Sequence, residues 1–149
     1  MPITQIADWP ELKNKLAESR LSILYIFSGT LEGERVSLSG KVSECLRVLS
    51  IELKGISGWY EVESRVIGDE LYEDFKIESL PALVFFVGSK RVDTFEFYGN
   101  QFSDRVQKEL RHSIRNFSDF DPSNLEVVVR MSSKIYYQEG EQNSLTLHV

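Results

Sequence analysis

Residues 75–99 read FKIESLPALVFFVGSKRVDTFEFYG, and this stretch decides the fold. Its middle, residues 80–87, is an apolar run with one proline, Pro81, almost at its start. Gly88 and Ser89 supply a turn, and an alternating run follows over residues 91–98. Two strand-like runs joined by a short Gly-containing connection spell a β-hairpin. Proline has no N–H to give to a strand ladder, so Pro81 belongs at the first positions of its strand.

Upstream of the hairpin the pattern alternates between strands and helices. Residues 3–6 suit a short first strand. Asp8 is placed to cap a helix, with Pro10 in the first turn and Glu11 three residues beyond the cap, and this helix runs to about Ser19. Trp9, Leu12 and Leu16 fall on one face of it. Residues 21–27, LSILYIF, are nearly all apolar, as expected of a central strand buried on both sides. A polar loop with Gly29 and Gly33 follows. From about Arg35 to Lys54, Val42, Cys45, Leu46, Leu49 and Leu53 share a helical stripe, and Gly40 marks a bend or the helix start. Gly55 and Gly58 stop this helix. Residues 59–67 alternate as another strand, with Tyr60 and Val62 on one face. A short helix is expected from Asp69 and Glu70 through Phe75.

Downstream, Ser103 caps a last helix whose face is Val106, Leu110, Ile114 and Phe117. The order β-α-β-α-β-α-β-β-α predicts an α/β fold, a central mixed sheet flanked by helices. Residues 1–117 form the domain, and residues 118–124, SDFDPSN, read as a linker. Residues 125–149 form a β-prone C-terminal extension, with strand-like runs at 125–130, 134–138 and 144–149. Two β-runs of this kind are not stable alone. They extend an edge of the domain's own sheet, pair with a second copy to give a homodimer through Leu125–Val149, or fold on a partner.

Composition narrows the function. Seventeen basic against 23 acidic residues give a net charge of −6, which argues against a surface that tracks nucleic-acid phosphates. No apolar run approaches the ~18 residues a membrane span needs. Residues 1–13 carry acidic residues and no apolar core, so no secretory leader is expected and the chain reads as cytoplasmic. The lone cysteine, Cys45, can form neither an internal disulfide nor a Cys-rich zinc site. His112 and His148 have no partner at metal-ligand spacing, and GTLEG lacks the pattern of a phosphate loop, so no metal and no cofactor is expected. Glu70, Glu73 and Asp74 read as a solvated helix face.

The element order, and residues 71–110 in particular, resemble the thioredoxin family. The resemblance rests on a short helix to Phe75, Leu80-Pro81 opening a Phe-rich strand, Gly88, a second strand ending at Gly99, and the helix after Ser103. It covers residues 3–117 and implies a thioredoxin-like fold with a cis Pro81. It also places the family's Trp-Cys-x-x-Cys motif at Thr30, Leu31 and Glu34, where this chain has no cysteine, and Tyr25 at the family's buried acid. Dithiol exchange needs an attacking thiolate and a resolving thiol. The resemblance therefore implies a redox-inactive member with no catalytic residues: a protein-interaction, assembly or chaperone-like module. By analogy with the family, an extended peptide would pair beside Leu80 and Pro81, with Phe27, Ser28, Gly29 and Thr30 completing the groove. Ser28 and Thr30 could instead play the hydroxyl role of glutathione transferases, but the second helical domain of that class has no room here, and loop hydroxyls that cap the next helix are favoured. The enzymatic alternative is a thiol-dependent oxidoreductase or peroxidase using Cys45, which requires that thiol to be activated.

Overall fold

A computed structural model of the chain describes residues 3–29, 34–68, 73, 75–97, 101–119 and 133–137, the last five and residues 34 and 35 by their backbone alone. The strands are β1 (Ile3–Gln5), β2 (Leu21–Phe27), β3 (Gly58–Glu63), β4 (Ala82–Val87), β5 (Lys90–Phe97) and β6 (Ser133–Tyr137). The helices are α1 (Trp9–Glu18), α2 (Glu34–Glu52), α3 (Ser64–Ile67) and α4 (Asp104–Ser118). Among the described residues the strands form one mixed sheet in the order β1-β3-β2-β4-β5-β6. β1 and β2 run parallel to β3, β4 is antiparallel to β2 and β5, and β6 is parallel to β5.

The sheet separates two apolar layers. Leu21, Ile23, Tyr25, Trp59, Leu83 and Phe85 point to the side covered by α2 and α4, where they meet Leu38, Val42, Leu46, Leu49, Leu110 and Phe117. Leu24, Ile26, Tyr60, Val62, Val84 and Phe86 point to the side covered by α1 and the approach to β4, where they meet Leu12, Leu16, Phe75 and Ile77. β2 is thus buried on both faces, as its unbroken apolar run requires. Full burial of each such Leu, Ile or Phe contributes about 1.5–3 kcal/mol.

Local chemistry sets the ends of the elements. Asp8 caps α1 by accepting from the Glu11 N–H at 2.8 Å, and the Glu11 carboxylate returns to the Ala7 N–H at 2.9 Å. The return bond therefore reaches one residue before the cap rather than the cap itself. Ser103 caps α4 by accepting from the Val106 N–H at 3.3 Å. Gly88 turns the hairpin with φ +58.

Two expectations change. The strand foreseen over 59–67 ends at Glu63, because the Glu63 side chain accepts from the Arg65 N–H at 2.8 Å and starts the four-residue helix α3. The hairpin's second strand is not a plain alternation: its pairing with β4 shifts by one residue between Phe85 and Phe86, so Val92 is inserted as a bulge. Residues 69–72 and 74 of the expected short helix, and the strand-like runs 125–130 and 144–149, lie outside the described residues.

Candidate functional site

β2 and β4 leave the sheet side by side. Their register pairs Ile26 with Ala82, so Phe27 and Pro81 face each other one step beyond. The Leu80–Pro81 peptide bond is cis. Pro81 is buried, its carbonyl accepts from the Phe97 N–H at 3.4 Å, and Leu80 packs against the α1-side cluster. The segment leading to Pro81 is held by Glu96, a fully buried carboxylate on β5. Its Oε1 accepts from the N–H groups of Glu78 (2.6 Å) and Ser79 (3.0 Å), while Ser79 Oγ donates to the Phe97 carbonyl at 2.7 Å.

On the neighbouring strand, Phe27 stacks on Tyr25 with ring centroids 6.1 Å apart. The Gly29 N–H donates to Glu63 Oε1 at 2.9 Å, and the same carboxylate is paired with the Arg65 guanidinium at 3.1 Å. Desolvation pushes the Glu63 carboxyl up, but the bonds from Gly29 and Arg65 outweigh it and hold the group below its usual range. A cavity of about 390 Å³ opens here, walled by Tyr25, Phe27, Ser28, Gly29 and Glu61 and by Val36, Ser39, Gly40 and Ser43 of α2.

The polar groups of this cavity are tied into hydrogen bonds with their neighbours. Tyr25 donates to the Ser39 carbonyl at 2.9 Å and lies 2.6 Å from Ser39 Oγ. Burial pushes its phenol from 10.0 up to about 12, against the lowering bond from Ser39 and with a small further push from Glu61. Gln5 donates to the Glu61 carboxylate.

Phe27, Ser28 and Gly29 therefore come together on one cavity, with Leu80 and Pro81 beside them through the sheet register and outside the cavity wall. Thr30 lies outside the described residues. Ser39, Glu61, Glu63 and Glu96 are additions of the structure, and Tyr25, which the resemblance set at the family's buried acid, gains its partner Ser39. Of these additions, Glu96 left a signal in the sequence: a glutamate set between Phe95 and Phe97 in a strand can be buried only if something bonds it.

Cys45 sits elsewhere. It is buried on α2 in the α2/α4 layer, 11 residues from the helix start, or roughly 16 Å along its axis. Burial pushes its thiol up, against the lowering influence of the Arg111 charge and of hydrogen bonds with Gln107 and Arg111. Among the described residues no group of His, Cys, Asp and Glu could hold a metal ion, and no helix is long and apolar enough to cross a membrane.

This architecture is the thioredoxin fold. A thioredoxin from Malassezia sympodialis is 15% identical, with a TM-score of 0.57 over 78% of this chain and 90% of its own. A mutant thioredoxin from Halobacterium salinarum is 12% identical, with a TM-score of 0.58 over 80% and 94%. A Fasciola hepatica thioredoxin is 21% identical, with a TM-score of 0.55 over 76% and 98%. No family model matches the sequence, and no curated protein matches it. Within the fold, this chain is a form with a single cysteine, so the Cys-x-x-Cys motif is absent from its sequence.

Proposed function

We propose that the protein is a non-catalytic thioredoxin-fold interaction module that holds an extended segment of a protein partner against Phe27, Ser28 and Gly29, beside Leu80 and Pro81. The observation that carries this is the pairing of a walled cavity at the end of β2 with the placement of the lone thiol in the α2/α4 core. The cavity offers an aromatic wall and hydroxyl groups, suited to side chains of a bound segment. The thiol chemistry of the alternative, an oxidoreductase or peroxidase, requires a depressed pKa and access. Cys45 is 4% exposed and burial pushes its thiol up, and both work against that chemistry, although it lines a shallow cavity with Gln107 and Arg111.

Two measurements test this. A dithiol–disulfide exchange assay on the full-length protein is expected to show no turnover above the reductant alone; turnover that disappears in Cys45→Ser would establish the alternative. For the surface, immobilised wild type, Ser28→Trp and the distant control Lys108→Ala are compared for the proteins each retains from an extract of the source cells. Partners held by wild type and by Lys108→Ala are expected to be lost on Ser28→Trp. Undiminished retention by a folded Ser28→Trp variant overturns the assignment of the surface.

A further inference from the structure

The opposite face of the sheet carries a second cavity, of about 330 Å³. Its walls include Trp9 and Lys13 of α1, then Phe75, and Phe86, Ser89 and Arg91 of the β4–β5 hairpin. Phe86 pairs with Ser22 at the start of β2, whereas the candidate groove lies at its end, roughly 16 Å away at the rise of a strand. The two cavities are therefore separate in face and in height.

The wall is aromatic and ordered by edge-to-face contacts. Trp9 and Phe75 have centroids 5.7 Å apart at 61°, and Phe75 and Phe86 are 5.7 Å apart at 75°. Leu16 adds to the apolar lining. Two cations complete the lining. Lys13 Nζ stands 6.0 Å from the Trp9 ring centroid. Arg91 reaches the cavity because of the bulge: with Val92 inserted, Arg91 pairs with Phe86 and shares its face, and without the insertion it would fall on the α2/α4 side. Its Nη1 donates to Thr94 Oγ1 at 3.3 Å, which orients the guanidinium. No carboxylate lines this cavity among the described residues, although the whole chain carries a net charge of −6. An apolar slot with two cations and no acid, on an acidic protein, selects for charge as well as for shape.

We propose that this cavity binds a small amphipathic anion, a monocarboxylic acid with an aryl or medium-length alkyl body. The body lies against Trp9, Leu16, Phe75 and Phe86. The carboxylate sits at the mouth, where Lys13 and Arg91 supply charge-assisted donors and Ser89 a hydroxyl. The volume is at the lower end of ligand cavities, which suits a small molecule. This site is independent of the proposed partner groove.

The test uses the cavity's own tryptophan. The indole N–H resonance of Trp9 is followed by NMR while the full-length protein is titrated with octanoate, phenylbutyrate, octanol and octylamine. Trp59, buried in the other layer, serves as the internal reference. Both carboxylates are expected to shift Trp9 saturably and leave Trp59 in place, and added salt is expected to weaken them. In the doubly charge-reversed variant Lys13→Glu/Arg91→Glu, octanoate affinity should fall by roughly tenfold or more, while octanol is unaffected. Should that variant not fold, Arg91→Gln alone is expected to weaken octanoate in the same direction. The proposal is overturned if neither carboxylate shifts Trp9 saturably, if octanol or octylamine binds as tightly as octanoate, or if the charge variants bind octanoate unchanged.

Discussion

Tyr25 carries a pH dependence that can be worked out from its surroundings. Its side chain is buried, and its phenol titrates near 12 in the folded chain against 10.0 when exposed. Between those values the unfolded chain has lost the proton and the folded chain still holds it, so unfolding becomes easier as pH rises. The stability linked to this group is intact below pH 10.0 and drains away as pH climbs toward 12. One such proton gives a slope of about 1.4 kcal/mol per pH unit. Cys45 acts with the same sign, beginning near its exposed value of 9.0. Urea unfolding measured across this alkaline window should show the decline. Tyr25→Phe should flatten it by about one proton's worth, at a cost of about 1 kcal/mol at neutral pH for the lost hydroxyl bond. An unchanged alkaline slope in Tyr25→Phe would refute the assignment. The sequence located Tyr25 on the central strand but not its bond to Ser39. A contact across 14 positions depends on how α2 lies over β2. Glu96 illustrates the same limit, since its partners Glu78 and Ser79 come from a loop that only the fold brings beneath it.

At the scale of elements, periodicity was a good guide where one face of a segment is apolar. The helices α1, α2 and α4 follow from spacing, and the strands β2 and β4 from short unbroken apolar runs. It failed where a side chain interrupts the pattern from outside the local repeat. Glu63 ends β3 by capping α3, and the insertion of Val92 reverses the inward and outward sides within β5. Glycine also divides into two kinds that sequence cannot distinguish. A Cβ on Gly58 would lie 2.6 Å from Ser22 Oγ and 2.7 Å from the Tyr60 ring, where β3 pairs with β2. A Cβ on Gly40 meets nothing within 4 Å. The same substitution therefore has opposite effects. Gly58→Ala should destabilise by about 1–3 kcal/mol through overpacking. Gly40→Ala, within α2, should stabilise by about 0.5–1 kcal/mol through helix propensity. Denaturant midpoints of the two variants check both signs at once.

At the scale of the whole molecule, the C-terminal extension decides how one edge of the sheet is covered. Residues 133–137 pair in parallel with residues 93–97 of β5 in the same chain, making β5-α4-β6 a strand–helix–strand unit. Among the described residues, both apolar layers are assembled from positions at or before Phe117, and residues 133–137 add an edge strand. Removing it would leave the edge of β5 over residues 93–97 with its outward N–H and C=O groups unpaired, a template for another chain. A chain ending at Asp119 is therefore expected to keep its far-ultraviolet circular dichroism and to self-associate. In sedimentation it should grow heavier with concentration while the full-length protein does not. The homodimer through Leu125–Val149 requires the reverse, a full-length dimer that truncation converts to a monomer. The two accounts assign opposite signs to one deletion because the same strand either covers its own sheet or offers itself to a second copy.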